Sequence, residues 1–315
     1  MLQNADDHDG PSKMLTDDPE IPIRLAIFVQ HRSLLFSIAY RMLGSVADAE
    51  DMLQDTFIRW QQSPDEEIRS SRAFLVTIIS RLCINHLQSA RVQREEYVGQ
   101  WLPEPIVTGP GSDPLEIMRI DESLSMAFLV MLERLTPIER AVFLLREAFE
   151  YEYSEIAAVL GQGEANCRQI FSRAKQHVSA MRPRFQTSSR KKSDLLERFI
   201  KATISGDLEG LVALLSGDVV LHSDGGGKAI AVPNLIQGAD KVARGVLGSF
   251  GKFVPKNLVR RLAQINGAPG FVTYLNGKPY SVLTLDTSEE HIRAIYVLTN
   301  PEKLVHIPAL PVDAS

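Results

Sequence analysis

Arg168, Gln169, Ser172, Arg173 and Lys175 crowd one short stretch of the chain. The donors of Arg and Gln match base edges in the major groove, and Lys and Ser suit phosphates, so the chemistry on offer is nucleic-acid recognition rather than bond making. A helix must position them. Cys167, Ile170, Phe171, Ala174 and Val178 recur at the spacing of a buried stripe, which turns the polar set outward. Just upstream, a shorter helix is capped by Ser154 and stopped by Gly161. Two helices about a tight turn make a helix-turn-helix. Arg168, Arg173, Lys175, Arg182, Arg184, Arg190, Lys191 and Lys192 meet little acid other than Glu164, which suits a phosphate backbone. A solvated helix in an ordinary bundle is the competing reading.

A second set is acidic. Asp48, Glu50, Asp51, Gln54 and Asp55 fall on outer faces of a helix from about Asp48 to Gln62, whose inner stripe is Ala49, Leu53, Thr56, Phe57 and Trp60. Paired carboxylates can do acid–base work, but a smooth helix surface has no pocket to raise one pKa above the other. An acidic docking face for a basic partner helix is therefore expected instead of catalysis. A third helix, from about Arg72, buries Leu75, Ile78, Ile79 and Leu82 and turns Arg81, Asn85, Gln88 and Arg91 outward. Ahead of both, Leu25, Phe28, Leu35, Phe36, Ala39, Met42 and Leu43 form one apolar face that Gly44 ends.

The 315 residues, 44% hydrophobic, suffice for two or three compact domains, and a formal net charge of -5 argues against indiscriminate nucleic-acid binding. Residues 1–22 form an acidic tail expected to be disordered, 23–100 an all-α unit, and 101–114 a linker rich in Pro and Gly. Residues 115–181 form a second all-α unit, in which Thr136-Pro137-Ile138-Glu139 supplies an N-cap, a proline at the first helical position and a capping-box Glu. A basic linker, 182–193, follows. Residues 194–315 read as an α+β domain with a curved antiparallel sheet, its hairpins marked by Asn266-Gly267 and Asn276-Gly277. Cys83 and Cys167 fall on the buried stripes of separate predicted helices and read as small buried hydrophobes, so no metal or cofactor is expected. No signal segment opens the chain and no apolar run approaches a membrane span, which predicts a cytoplasmic protein with no membrane partner.

Taken in order, Asp48 to Phe57, the Arg81 to Arg94 helix face and the Tyr153 to Lys175 helix-turn-helix resemble regions 2 and 4 of the extracytoplasmic-function (ECF) sigma factors. Trp101-Leu102-Pro103-Glu104-Pro105, Asp224-Gly225-Gly226-Gly227-Lys228 and Asn300-Pro301-Glu302-Lys303-Leu304 are similar to motifs of the ECF subgroup that bears a C-terminal SnoaL-like domain. The resemblance implies a multidomain fold: two all-α sigma domains, a region 2 bundle and a region 4 helix-turn-helix, then an α+β cone-shaped barrel of the SnoaL/NTF2 kind. It implies direction of RNA polymerase core to promoters, with promoter DNA and the polymerase, through its β′ clamp coiled coil and β subunit, as partners. By it, Asp48, Glu50, Asp51, Gln54 and Phe57 dock on the clamp. Arg69, Arg72, Phe74, Arg81, Asn85, Gln88, Arg91 and Arg94 take the −10 element, and Arg168, Gln169, Ser172, Arg173 and Lys175 read the −35 element. Residues Trp101 to Pro105, Asp224 to Lys228 and Asn300 to Leu304 are expected to touch one another and to control activity. Asn85 and Gln88 depart from the Asp and Arg of many ECF factors.

Some SnoaL-like relatives are enzymes, which makes His222, Asp224 and Asp286 candidates to line a cavity, with His291 and His306 as further titratable groups. No His–Asp spacing singles out a base, so no catalytic residue is expected, and an unknown small-molecule ligand of this domain is the remaining partner class. The triple glycine lacks the spacing of a nucleotide loop and reads as a flexible hairpin tip that contacts another domain. Two other functions fit parts of the chain: a one-component transcription regulator with a ligand-sensing C-terminal domain, and an isomerase or hydrolase fused to a DNA-binding unit. The acidic Asp48 to Phe57 surface counts against the first, since an operator binder needs no polymerase dock; an acid–base pair in a closed apolar cavity would favour the second.

Overall fold

The computed structural model describes residues 20–64, 68, 70–95, 97–108, 124–179, 188–253 and 257–310. Residues 1–19 of the acidic tail, Arg69, and residues 109–123 and 180–187 lie outside them, as do the side chains of Arg91 and Arg94.

Helices α1 (Glu20–Leu43), α2 (Val46–Gln62) and α3 (Ser71–Glu95) form the first bundle. Gly44 ends α1 in the left-handed region at φ 67°, its amide donating to Tyr40 O at 2.7 Å, and an added Cβ would run into the Trp101 ring. Ser45 then caps α2, accepting from the Asp48 amide at 3.1 Å, so this helix starts before the expected Asp48. Buried Trp60 donates from Nε1 to Arg24 O at 3.0 Å and ties α2 to α1.

Helices α4 (Met126–Leu132), α5 (Pro137–Glu147), α6 (Tyr153–Leu160) and α7 (Glu164–Ser179) form the second. The capping box at α5 is present, with the Glu139 amide donating to Thr136 Oγ1 at 3.3 Å and the Thr136 amide to Glu139 Oε2 at 3.0 Å. Ser154, expected to cap α6, instead lies inside it. The cap is Glu152, whose amide donates to Glu155 Oε2 at 2.8 Å, and that bond starts the helix two residues earlier. Gly161 ends α6 at φ 65° as expected.

The two bundles share one apolar core: α3 packs on α6, and α1 and α3 on α5. Across that seam buried Arg140 donates to Met42 O at 2.6 Å while pairing with Glu133 at 2.8 Å.

The C-terminal unit contains α8 (Ser189–Ser205), α9 (Leu208–Leu214), β2 (Leu215–Asp224), β3 (Ile236–Gln237), α10 (Ala239–Phe253), β4 (Leu258–Ile265), β5 (Ala268–Leu275), β6 (Lys278–Thr287), β7 (Ile292–Leu298) and a 3-10 turn, Pro301–Leu304. Ser188 caps α8, so helix begins inside the stretch expected to be basic linker. The sheet order is β1-β4-β5-β6-β7-β2-β3, and β1 (Val107–Thr108) is contributed by the linker after the first bundle. Asn266 and Asn276 adopt φ 50° and 52° in the two expected hairpin turns. Two expectations need correction. The sheet is mixed, because β2 pairs parallel with β7 across a connection that contains α10 and four strands. It is also open rather than a closed barrel, since both edges end in two-residue strands, β1 and β3, that do not meet.

Helices α8 to α10 cover one face of the sheet, where Phe199, Leu211 and Val242 join Leu221, Phe271 and Ile295. The other face is covered from outside the domain as well as within it: Leu102 and Met126 join Leu304 against Val282, Tyr274 and Tyr296. Among the described residues no helix is long and apolar enough to cross a membrane.

Candidate nucleic-acid interface and interdomain clasp

On α2, Asp51, Gln54 and Asp55 are exposed. Glu50 is engaged by Arg32 at 2.6 Å, Asp48 lies 3.6 Å from His86 Nε2, and Phe57 is half-buried with its ring 4.9 Å from that of Phe28. Of the expected docking set, then, Asp51 and Gln54 project freely.

The expected −10 residues are divided. Asn85 and Gln88 face solvent on α3, and Phe74 is half-buried, 5.9 Å from Trp60. Arg81 donates from Nε to Val159 O at 3.0 Å, and Arg72 lies 5.4 Å over the Tyr151 ring, so both reach across to the second bundle.

On α7, Cys167, Ile170, Ala174 and Val178 are buried and Phe171 partly so, which leaves Arg168, Gln169, Ser172, Arg173 and Lys175 exposed together. Arg168 pairs with Glu164 one turn earlier and lies 4.8 Å over the Tyr153 ring. Lys175 lies 5.5 Å over Phe171. This surface can present fork-shaped and point-charge donors side by side.

The structure brings the linker motif, the glycine turn and the C-terminal 3-10 turn together around Asp224, which has no exposed surface. Its Oδ2 accepts from the Leu102 amide at 2.8 Å and from Lys303 Nζ at 2.7 Å; Lys303 also donates to Leu102 O at 2.5 Å. Its Oδ1 accepts from Tyr97 Oη at 2.6 Å and from the Gly226 amide at 3.0 Å. The Lys303 ammonium lies 4.2 Å over the Trp101 ring and 5.0 Å over Tyr97, so a buried cation has both a carboxylate and two π-faces. Gly226 sits at φ 58° against Asn300, and a Cβ there would collide with the Asn300 amide. At the rim, Lys228 pairs with Glu302. Two residues on, Glu104 reaches the other way: its carboxylate accepts from the Val46 amide at 2.7 Å and from Ser45 Oγ at 3.1 Å, at the N-terminus of α2, where the helix dipole favours an anion.

Three members of this clasp were not legible as such. Tyr97 links Asp224 to Asn300, whose Nδ2 donates to its hydroxyl at 2.9 Å, and burial together with the Asp224 carboxylate pushes the phenol pKa up. Asn266, read only as a hairpin turn, donates from Nδ2 to buried Tyr40 Oη at 2.7 Å and exchanges bonds with Ile106 at 2.9 and 3.1 Å. Tyr40 in turn donates to Glu104 O at 2.5 Å. The available signal was a polar Asn and a Tyr at otherwise apolar positions.

His222, Asp224 and Asp286 do not share a cavity. Asp224 belongs to the clasp. His222 pairs in register with Tyr296 and stacks on it at 5.1 Å, on the side that receives Leu102 and Met126; burial, with Arg134 nearby, lowers its pKa to about 4. Burial raises the pKa of Asp286. A cavity of about 590 Å³ between α8 and β4–β5, walled by Ile200, Ile204, Leu262 and Phe271, has none of the three among its lining residues. Alternation along β2 places His222 and Asp224 on the opposite face from Leu221.

Residues 27–92 match the family model Sigma-70 region 2, and residues 125–178 match Sigma-70, region 4. The ECF RNA polymerase sigma factor SigJ of Mycobacterium tuberculosis is 37% identical over 288 residues, 88% of this chain and 92% of that protein. Probable ECF RNA polymerase sigma factor SigI of the same species is 31% identical over 277 residues, 87% of this chain and 92% of its own length. The crystal structure of SigJ superposes with a TM-score of 0.73 at 34% identity, covering 89% of this chain and 97% of that one, so the likeness extends through the sheet domain. With two helical units matching sigma regions in sequence and a relative alike along nearly its whole length, the chain belongs to the ECF RNA polymerase sigma factors.

Proposed function

We propose that the exposed Asp51 and Gln54 face of α2 docks on the basic β′ clamp coiled coil of RNA polymerase core, that α3 and its preceding loop take the −10 element, and that α7 reads the −35 element. The C-terminal domain acts as a brace on this machinery in the cytoplasm and has no catalytic role; its candidate acid, Asp224, is fully occupied by the linker and by Lys303. One observation carries the regulatory part: Arg81, assigned to −10 DNA, is spent on Val159 O of the −35 unit, and the linker joining those units is gripped by the C-terminal domain. Promoter reading then requires the two helical units to part, and the clasp sets how readily they do so. The domain limits follow the same division: 23–100 for region 2, 115–181 for region 4 and, since α8 begins at Ser189, 189–315 for the brace. Transcription in vitro with purified core polymerase, followed by mapping of start sites, tests the reading. Defined starts that depend on this chain are expected; DNA binding without any stimulation of core would instead favour an operator-binding regulator.

A further inference from the structure

Tyr153, the first residue of α6, lies between two guanidiniums, Arg146 at 4.9 Å and Arg168 at 4.8 Å from its ring centroid, and meets Phe171 edge-on at 6.0 Å. Each guanidinium has its own carboxylate: Glu152 lies 3.1 Å from Arg146, and Glu164 pairs with Arg168. Such exposed pairs add little to folding. Their effect here is to hold the Arg168 guanidinium over a ring that itself packs edge-on against Phe171 of α7, with Nη2 taken by Glu164 and the side chain still 60% exposed.

A phosphate contact depends on net positive charge, and Glu164 cancels much of it while being repelled by a phosphate. A base edge is read by donor geometry, which a stacked, paired guanidinium near the start of a recognition helix already has. We propose that Arg168 reads a base edge, a guanine in the simplest case, and that Tyr153 and Glu164 are positioning residues that set its fork. This rests on the reading of α7 as the −35 helix.

The test uses holoenzyme assembled from core polymerase and the full chain, with the mapped promoter randomised over its −35 element. In Arg168→Ala, preference at one base pair should fall by about 5- to 150-fold, while the slope of log affinity against log salt stays unchanged. Tyr153→Leu and Glu164→Gln should weaken preference at that same pair by a smaller factor. The proposal is overturned if Arg168→Ala weakens all sequences equally and lowers the salt slope by about one, the mark of a phosphate contact. It is also overturned if Glu164→Gln, a near-isosteric change that keeps the helix, leaves the preference intact. If the double variant Arg168→Ala/Arg173→Ala uses the promoter with wild-type strength and preference, the assignment of α7 itself fails.

Discussion

The carboxylate of Asp224 stands 2.7 Å from the ammonium of Lys303, with Asp224 fully buried and the Lys303 side chain 9% exposed. Removing one member of a buried pair costs about 3–5 kcal/mol, because the other charge stays behind without its partner. Asp224→Ala and Lys303→Met should therefore each lower the urea midpoint of the full chain sharply, and the double variant should lose clearly less than the sum. A double-mutant cycle checks this; strict additivity would mean that the two groups are not coupled.

His222 gives a pH dependence of definite sign. Its pKa is depressed to about 4 by burial, with Arg134 adding to the effect, against an unfolded value of 6.5. Between those values the unfolded chain binds the extra proton and the folded chain does not, so the contribution is fully present above pH 6.5 and is lost as pH falls toward 4. From pH 7 to pH 5 the loss should be on the order of 2 kcal/mol. Unfolding at both pH values in wild type and His222→Phe measures it, and a variant with an unchanged pH slope would locate the titration elsewhere.

Local signals carried the helical units. Thr136-Pro137-Ile138-Glu139, Gly44 and Gly161 each mark a helix end by chemistry confined to one turn, and the stripe through Cys167, Ile170 and Ala174 is a spacing visible within one helix. Ser154 misled because Glu155, three residues after Glu152, fits a box two residues earlier. The clasp depends on separations that no window spans: Tyr97 meets Asp224 across 127 positions and Asn266 meets Tyr40 across 226. The family resemblance grouped the three motifs, yet Tyr97, Tyr40 and Asn266 fell outside them. The linker strand β1 was hidden for a different reason, since Val107–Thr108 becomes a strand only by pairing with Gln264 and Ile265.

Docking is tested by charge reversal at Asp51, which is exposed on α2. Asp51→Arg should weaken assembly with core polymerase by about 1–3 kcal/mol, because a carboxylate aimed at a basic helix becomes a like-charge clash. Folding should be unaffected, as the position makes no core contact. Co-purification with core at wild-type yield would remove α2 from the docking role.

The clasp makes its own prediction about control. Lys303 supplies one of the four bonds to the Asp224 carboxylate and Asn300 braces Tyr97, which supplies another, whereas the Asn266 hairpin holds Tyr40 and Ile106 independently of them. Removing residues from Asn300 onward should therefore loosen the linker at Leu102 while leaving the second hold in place. The α3–α6 seam, including the Arg81 bond to Val159, then opens more readily and promoter output should rise. Trp101→Ala and Asp224→Ala should move output in the same direction, since the first takes away a π-face over Lys303 and the second its carboxylate. Deleting everything after Ser193 is a different lesion: it also removes β4, the partner of β1, together with the Asn266 hold, and so takes away the high effective concentration that keeps the linker ordered. That truncation should not reproduce the output of the shorter one. Reporter transcription from the mapped promoter at matched protein levels compares all four, and equal, wild-type output throughout would make the C-terminal domain a passenger.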